Sequence, residues 1–557
     1  MRRGVGFACL ALALGAPAAA QEDRGVLSPL PDSIAERAVT LYNAAETIRL
    51  MGEATLGAAG AMVGNVAVLG GPVIVAGRIE GALVVINGDL ELASGALVTG
   101  DVLVLGGAVE SAPDARVVGR LVHYREALRY RRAGDGIERE PPEAGAEFIA
   151  GREFDFGRTD LVVGVRGGYN RAEGLPVSAG PRLRLGHSNP TLLEALVIYR
   201  TVGGLDPDDD DIGWALRAEQ YLGGTGSLRA GASWYSEVAA IESWGIRDRE
   251  NSLATALLHI DHRDHYEIEG WSAYLTGRAG AATTFLAGYR SELHRSAAFE
   301  DPPTVFGSDP WRPQPLVAEG RLRSAFARGE YDTRNESRDP SAGWLLRGEL
   351  ELGVGGSLER PVAVDFDQEE VLPALPADAR FAAAVLDVRR YARFTPYSFL
   401  AVRLLAMGSV DGDPLPAQRQ HALGGEGSLP GYDRFEFDCG ARSERVIAAG
   451  TTRFPWYGCD RLALVQLEYQ AGFPFARRLT ERIGLRTGHA VRWVAFFDAG
   501  RAWTEPAARG QRQGGQNDFA ADAGLGVRFG ALGVYWAFPL SASADGVNFL
   551  VRLGRRF

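Results

Sequence analysis

Apolar and polar residues alternate in many segments from residue 171 to the end of the chain, and this pattern constrains the fold most strongly. One example is 463–470, with apolar side chains at odd positions (Ala463, Val465, Leu467, Tyr469) and polar ones at even positions (Gln466, Glu468, Gln470). Period-two alternation is typical of a β-strand with two unlike faces. After residue 20 no run of about 18 apolar residues could form a membrane helix. The alternation therefore predicts either a β-sandwich with one polar face or a barrel whose apolar face meets lipid.

Two features favour the membrane barrel. Long connections such as 293–316 and 411–460 are separated by tight turns, as in barrels with long outer loops and short periplasmic turns. The final segment places apolar residues on one face, which resembles the C-terminal insertion signal of outer-membrane barrels: Phe549, Val551, Leu553 and Phe557. We therefore predict an antiparallel transmembrane β-barrel of about 16 strands over residues 171–557, including one strand at 252–260.

A repeat precedes this region. Four glycines, at spacings of 17, 19 and 19 residues, each begin a short run rich in Val, Leu and Ile: Gly64, Gly81, Gly100 and Gly119. Glycine turns a corner where a Cβ would clash, and one coil cannot bury its own apolar face, so several must stack. The repeat predicts a small β-solenoid over residues 40–125, with an ordinary β-sandwich as the alternative.

The repeat resembles the bactofilin-like, polymer-forming solenoids. That resemblance implies a capacity for end-to-end association and no catalysis. Residues 33–58 fit either a helix capped by Asp32 or entry strands of the same solenoid.

The remaining segments complete an all-β plan. Residues 1–20 show a positive start, an apolar run and small residues before Gln21, which is the order of a secretory signal peptide. Residues 21–39 follow as an N-terminal segment, and 126–170 are expected to be a linker. We predict a barrel in the outer membrane of a Gram-negative-type bacterium, with the solenoid in the periplasm.

The long connection carries the motif that indicates a family. Within 421–434, six residues resemble the Gly-Gly…Arg-Gly-Tyr/Phe loop of the BamA/TamA-like outer-membrane superfamily, also called bacterial surface antigens: Gly424, Gly425, Leu429, Pro430, Gly431 and Tyr432. Segments 332–343, 496–503 and 521–528 resemble other parts of that superfamily's barrel, in the same order along the chain.

The resemblance implies a role for the loop. In the superfamily it folds into the barrel lumen, and its Arg pairs with an acidic residue on the wall. The matching wall residues here are Asp498 and Gly500, but Pro430 stands where the loop Arg is expected, and Arg434 is the nearby substitute. The superfamily's assemblers also carry POTRA domains, which capture unfolded clients by strand addition. Because a solenoid replaces them, we do not expect a general insertase.

Cys439 and Cys459 are the two cysteines that remain once the signal peptide is removed. In an oxidising periplasm they are expected to form a disulfide, with two free thiols as the alternative. The closed loop of about 20 residues would contribute roughly 3 kcal/mol to stability.

Several function classes are disfavoured. The net charge of −11 argues against a nucleic-acid partner. No G-x-S-x-G elbow, P-loop or H-E-x-x-H motif occurs, so we expect no enzyme, cofactor or metal site. The expected partners are outer-membrane lipid, the barrel assembly machinery during biogenesis, and either another copy or a periplasmic protein bound through the solenoid. A structural, assembly or translocation role is predicted; a passive transport pore and autotransporter-like display of the solenoid are the alternatives.

Overall fold

A computed structural model describes residues 32–58, 60–107, 109–124, 128, 130–133, 136–139, 148–154, 157–186, 189–204, 211–222, 228–279, 282–298, 301–307, 311–334, 339–359, 363–365, 370–372, 379–395, 398–439, 446–448, 451–453, 457–472, 491–504, 519–540 and 546–557. The predicted signal peptide, residues 1–20, lies outside this part of the chain. Two α-helices are present in it, α1 (Asp32–Asn43) and α2 (Asp248–Leu258).

The first strands form the solenoid and a following hairpin. They are β1 (Ile48–Met51), β2 (Ala54–Leu56), β3 (Met62–Val63), β4 (Val66–Leu69), β5 (Val73–Val75), β6 (Arg78–Glu80), β7 (Leu83–Ile86), β8 (Leu90–Leu92), β9 (Leu97–Val98), β10 (Val102–Leu105), β11 (Val109–Ser111), β12 (Arg116–Val117), β13 (Leu121–Tyr124), β14 (Tyr130–Ala133) and β15 (Gly136–Arg139). Three parallel sheets line the solenoid, in the orders β1-β4-β7-β10-β13, β2-β5-β8-β11 and β3-β6-β9-β12. The predicted β-solenoid is therefore confirmed.

The repeated glycines stack on one another. A Cβ on Gly81 would lie 2.3 Å from the carbonyl oxygen of Gly64, and one on Gly100 would lie 2.5 Å from the backbone of Gly81. Gly119 meets Gly100 in the same way, with 2.4 Å to its carbonyl oxygen. These distances are shorter than any side chain tolerates, so the spacing of the repeat follows from the close approach of successive coils.

The five-stranded sheet is buried on both faces, which explains its uninterrupted apolar runs. Val66 and Val68 point into the solenoid core, whereas Ala67 and Leu69 pack outward. Helix α1 covers this outer face through Ala35, Ala38 and Tyr42. Residues 33–58 were predicted to form either a helix or entry strands of the solenoid. The helix is correct up to Asn43, and the entry strand is correct at β1, Ile48–Met51. The side chain of Asp32 lies outside the described residues.

The remaining strands follow in order: β16 (Phe148–Phe154), β17 (Gly157–Val165), β18 (Val177–Leu185), β19 (Thr191–Tyr199), β20 (Ile212–Leu222), β21 (Leu228–Ala240), β22 (His265–Ala279), β23 (Thr283–Ser296), β24 (Glu319–Asp332), β25 (Gly343–Glu359), β26 (Ala363–Asp365), β27 (Glu370–Leu372), β28 (Arg380–Thr395), β29 (Ser398–Ser409), β30 (Val446–Ala448), β31 (Thr451–Arg453), β32 (Arg461–Gly472), β33 (Val491–Trp503), β34 (Ala520–Phe529), β35 (Leu532–Pro539) and β36 (Asn548–Leu553). Short hairpins β26–β27 and β30–β31 stand apart. The others form one antiparallel sheet of 17 strands.

The predicted antiparallel barrel of about 16 strands is confirmed in kind, with two local corrections. Residues 148–165, expected as linker, form the first two strands of the sheet. Residues 252–260, expected as a strand, lie mostly in helix α2. Asp248 and Glu250 lie in its first turn, where their negative charges stabilise the helix by interacting with the positive end of its dipole.

Alternation along the strands separates an apolar exterior from a charged lumen. On β25, Leu346, Leu350 and Leu352 are exposed, as predicted. The opposite face carries Arg347 and Glu349, which bond Glu330 and Arg328 on the neighbouring strand β24. The exposed apolar positions recur on most strands, so the outer surface is suited to lipid. No helix among the described residues is long and apolar enough to span a membrane.

The two ends of the barrel differ. One end carries the long connections 241–264 and 410–460, whereas the opposite end carries tight turns such as 530–531. The solenoid contacts the tight-turn end: Asp89 lies 3.8 Å from Arg393, and Tyr124 lies under the guanidinium of Arg278. Both arginines lie near the C-terminal ends of their strands, β22 and β28.

Candidate functional site

The loop motif forms a tight turn that glycine makes possible. Gly424 and Gly425 have φ of +117° and +83°, in the left-handed region that favours glycine. The Gly424 N–H donates to Ser428 Oγ at 2.9 Å, and the Gly425 N–H donates to the carbonyl of Leu429 at 3.1 Å. The turn thereby projects Leu429 and Tyr432 towards the barrel wall.

The loop packs against the inner surface of the barrel. Leu423, Leu429 and Tyr432 are buried in a cluster with side chains of β29, β32, β33 and β34, including Leu405, Leu462, Leu464, Ala502 and Ala520. A Cβ on Gly500 would lie 2.9 Å from Leu423 Cδ2, so the wall is glycine where the loop comes closest. The described part of the loop therefore lies against the inner wall of the barrel.

Backbone groups fasten the loop to the wall. The Gly431 N–H donates to Asp522 Oδ2 at 2.6 Å, and the hydroxyl of Tyr432 donates to the carbonyl of Ala521 at 3.0 Å. The amide of Asn548 on β36 donates to the carbonyl of Pro430 at 3.1 Å. Pro430 therefore contributes a hydrogen-bond acceptor at the position where the family resemblance predicts an arginine.

The wall carboxylate takes its cation from another part of the chain. Arg434 does not act as the substitute: it bonds Glu426 and the carbonyl of Asp261. Asp498 is paired instead with Arg556, the next-to-last residue of the buried C-terminal tail. Because Asp498 and Asp522 face each other across β33 and β34, this cation sits beside two carboxylates.

The tail turns into the lumen after β36. Gly554 has φ of +105°, and beyond it Arg555 donates to Asp339 Oδ1 at 2.6 Å. Phe557 packs on Tyr391, Phe399 and Ala401. Phe549 and Val551 lie on the lipid-facing surface, where Phe549 is 62% exposed. Leu553 is half-buried, and Phe557 is buried and does not share that surface. The expectation of one apolar face through Phe557 is therefore wrong at that residue.

Asp339 anchors the tail from the tight-turn end. Arg492 and Arg528 reach the same carboxylate as Arg555, at 3.2 and 3.1 Å. Burial opposes the charge of Asp339, but the three guanidiniums hold the pKa of its carboxyl well below the usual range. The carboxylate is thus ionised at neutral pH and can hold the tail in place.

A second segment, residues 241–264, enters the lumen beside the loop. Gly245 packs against Gly427, where a Cβ would lie 2.8 Å from the Cα of Gly245. Glu242 accepts from the hydroxyl of Tyr457 at 2.9 Å. Despite burial, the imidazole of His262, 3.5 Å from Glu426, and the charge of Arg434 hold the pKa of the Glu426 carboxyl well below its usual range. The loop and this segment form one interlocked unit.

Cys439 and Cys459 form a disulfide within the long connection, with their Cα atoms 5.3 Å apart. His421 exchanges two backbone hydrogen bonds with Cys459, and Leu423 exchanges two with Phe437. The bond therefore closes the base of the loop that carries the glycine motif.

Sequence reasoning missed the C-terminal arginines and helix α2. One signal was present: Arg552, Arg555 and Arg556 interrupt an otherwise apolar end, where lipid-facing residues are expected. Three cations there require buried anions, and their partners lie far along the chain, at Glu250, Asp339 and Asp498.

Comparisons with known proteins gave three findings. Residues 321–557 match the Omp85 superfamily domain. Among solved structures, BamA from Haemophilus ducreyi lacking POTRA domains 1–3 is 14% identical, with a TM-score of 0.42 over 73% of this chain and 75% of that chain. CdiB from Escherichia coli is 12% identical, with a TM-score of 0.32 over 73% and 66%. No curated protein matches the chain.

Proposed function

We propose that this chain, a BamA/TamA-like barrel with an Omp85 superfamily domain, serves a structural, assembly or translocation role in the outer membrane. The observation that carries the proposal is the seating of the loop on the inner wall through Gly431 and Asp522. A loop fixed by a few hydrogen bonds to two strands can change its position with the barrel, which suits a protein that handles other chains.

The lumen argues against a passive pore. The loop and residues 241–264 interlock inside it, and the cavity left between them has a volume of about 50 Å³. Pockets for small molecules typically measure about 300–1,000 Å³, so this space suits water and not a transported solute. Residues on both sides of the cavity, such as Trp244 and Ser428, belong to the interlocked segments.

The solenoid is proposed to stand in the periplasm below the barrel. Its contacts with Arg278 and Arg393 lie at the tight-turn end, and barrels of this class place tight turns in the periplasm. There it would bind a periplasmic protein or another copy of the chain. Insertion of the barrel itself would depend on the barrel assembly machinery.

Protease shaving of intact cells tests this arrangement. One tag is placed at residue 60 and another within 440–450. Protection of the first tag with cleavage of the second is expected. Cleavage at residue 60 would instead favour surface display of the solenoid.

Bilayer recordings test the filled lumen. The purified full chain is expected to give no steady current, because its own segments fill the space. A large stable conductance from the unaltered chain would favour a transport pore.

An assembly assay tests the role. Proteoliposomes containing the chain are given an unfolded outer-membrane barrel, and the appearance of its heat-resistant folded form is timed against empty liposomes. An assembly role predicts faster folding with the chain, and a Gly431→Ala variant should then lose the gain because its added methyl would lie 2.8 Å from Asp522 Cβ. Gly348→Ala, where the methyl meets nothing within 4 Å, is the matched control. Equal rates with and without the chain would argue against assembly.

A further inference from the structure

The last strand of the barrel sheet has one edge that no other strand covers among the described residues. β36 pairs with β35, and the sheet order ends there, without a ladder to β16 or β17. Backbone N–H groups along a strand point alternately to its two sides. The Gly554 N–H bonds Ala531 on the β35 side, so the Leu553 N–H faces the open edge.

Helix α2 contacts the last residue of that edge. The Leu553 N–H donates to Glu250 Oε1 of α2 at 3.1 Å. The same oxygen accepts from Arg552 Nε at 2.6 Å, and the carboxylate and the guanidinium are both buried. One glutamate thus satisfies an edge N–H and a buried cation together.

Arg247 precedes the helix and completes the contact. A Cβ on Gly554 would lie 2.8 Å from Arg247 Nη1. The absence of a side chain at Gly554 lets the start of α2 approach the end of β36 closely.

The other side of α2 is tied to the opposite end of the sheet. Ser252 Oγ accepts from the backbone N–H of Tyr169 at 2.8 Å. Tyr169 lies four residues after the end of β17 and one residue after Gly168. A Cβ on Gly168 would lie 2.8 Å from Ser252 Cβ. Helix α2 therefore contacts the chain beside both terminal regions of the sheet.

We propose that α2 is an internal lock, which ties the two terminal regions of the barrel sheet together through Glu250 and Ser252. An open strand edge is a template for pairing with another chain, so it must be covered. A ladder of backbone bonds would close it permanently, whereas one buried carboxylate and one hydroxyl form a closure that can be released. The proposal concerns the barrel alone and does not depend on its client.

The test measures the distance across the edge. Spin labels are attached at Leu161→Cys on β17 and Val551→Cys on β36, two positions that are each 51% exposed on the apolar face. Cys439 and Cys459 are disulfide-bonded to each other and do not react with the label. Electron–electron resonance in nanodiscs then reports the distance distribution in the otherwise unaltered full chain, which is expected to be narrow.

Glu250→Ala should broaden this distribution and move it to longer distances. Glu330→Ala is the matched control, because Glu330 is also buried and paired with an arginine, Arg347, but between neighbouring strands. An unchanged distribution in Glu250→Ala, or equal broadening in both variants, would overturn the lock. If Glu250→Ala does not insert, Glu250→Gln is measured with the same two outcomes.

Discussion

Arg556 donates to Asp498 across 58 residues of sequence, so the next-to-last residue of the chain neutralises a carboxylate in the middle of strand β33. Both side chains are almost completely buried. The guanidinium also lies over the ring of Phe496, 3.7 Å from its centroid. A cation expected from the loop is thus supplied by the C-terminus, and the loop is fastened by its backbone.

Replacing Arg556 should destabilise the barrel. Arg556→Ala leaves Asp498 and Asp522 buried beside each other without a cation, and breaking such a pair typically costs about 3–5 kcal/mol. The temperature at which the barrel loses its heat-resistant gel mobility is expected to fall. Adding Asp498→Asn should restore part of the loss. Arg390→Ala, whose guanidinium lies over Trp344, should change little.

Displacing the loop should expose it. Gly431→Ala places a methyl 2.8 Å from Asp522 Cβ and 2.9 Å from the nitrogen of Pro539, so the bond from the Gly431 N–H to Asp522 cannot form unchanged. Faster proteolysis within 421–438 and a rise in bilayer conductance are expected. Gly348→Ala provides the reference; identical proteolysis of both variants would mean that this contact does not seat the loop.

Crowding a corner of the solenoid with a methyl group should destabilise it more than straining the backbone at another corner. In Gly100→Ala the methyl would lie 2.5 Å from the Gly81 backbone, and such overpacking typically costs about 1–3 kcal/mol, or more where backbone must move. In Gly95→Ala nothing lies within 4 Å, and only the positive φ is strained, at about 1–2 kcal/mol. Hydrogen exchange of β7 and β10 in the full chain measures the difference. Similar protection in both variants would contradict the stacking argument.

Acid should loosen helix α1 from the solenoid. The backbone N–H of Arg120 and the guanidinium of Arg37 lower the pKa of Asp101 to about 2. A depressed folded-state pKa gives stability that is complete above the ordinary value of 3.8 and lost as the pH falls through about 2. Pepsin cleavage within residues 32–43 should therefore increase as the pH falls across that window.

Asp101→Asn should remove this dependence, because an amide does not titrate there. Asp114→Asn is the control, since Asp114 also has a lowered pKa but bonds Ser94 and Gly95 instead of α1. A pH response that persists in Asp101→Asn would assign it to another group.

Local pattern was sufficient for the elements whose cause lies in neighbouring residues. Gly64, Gly81 and Gly100 recur because each coil of the solenoid has a corner at the same place, so their spacing predicts the solenoid. The alternation of apolar and polar residues on β25 and β32 predicts the two faces of the barrel, because successive side chains of a strand point to opposite sides of the sheet. The loop motif at 421–434 can be recognised from the sequence because Gly424 and Gly425 adopt positive φ values that favour glycine.

Long-range charge pairing and edge closure were decided only by the tertiary structure. No local pattern links Arg556 to Asp498 or Glu250 to Leu553, because these partners meet through the curvature of the barrel. The same holds for 252–260, where a short apolar run fits a strand or a helix equally well and packing under the loops selects the helix. The sequence by itself determined the repeat, the strands and the loop; which buried charges meet inside the lumen depended on the closed three-dimensional path of the chain.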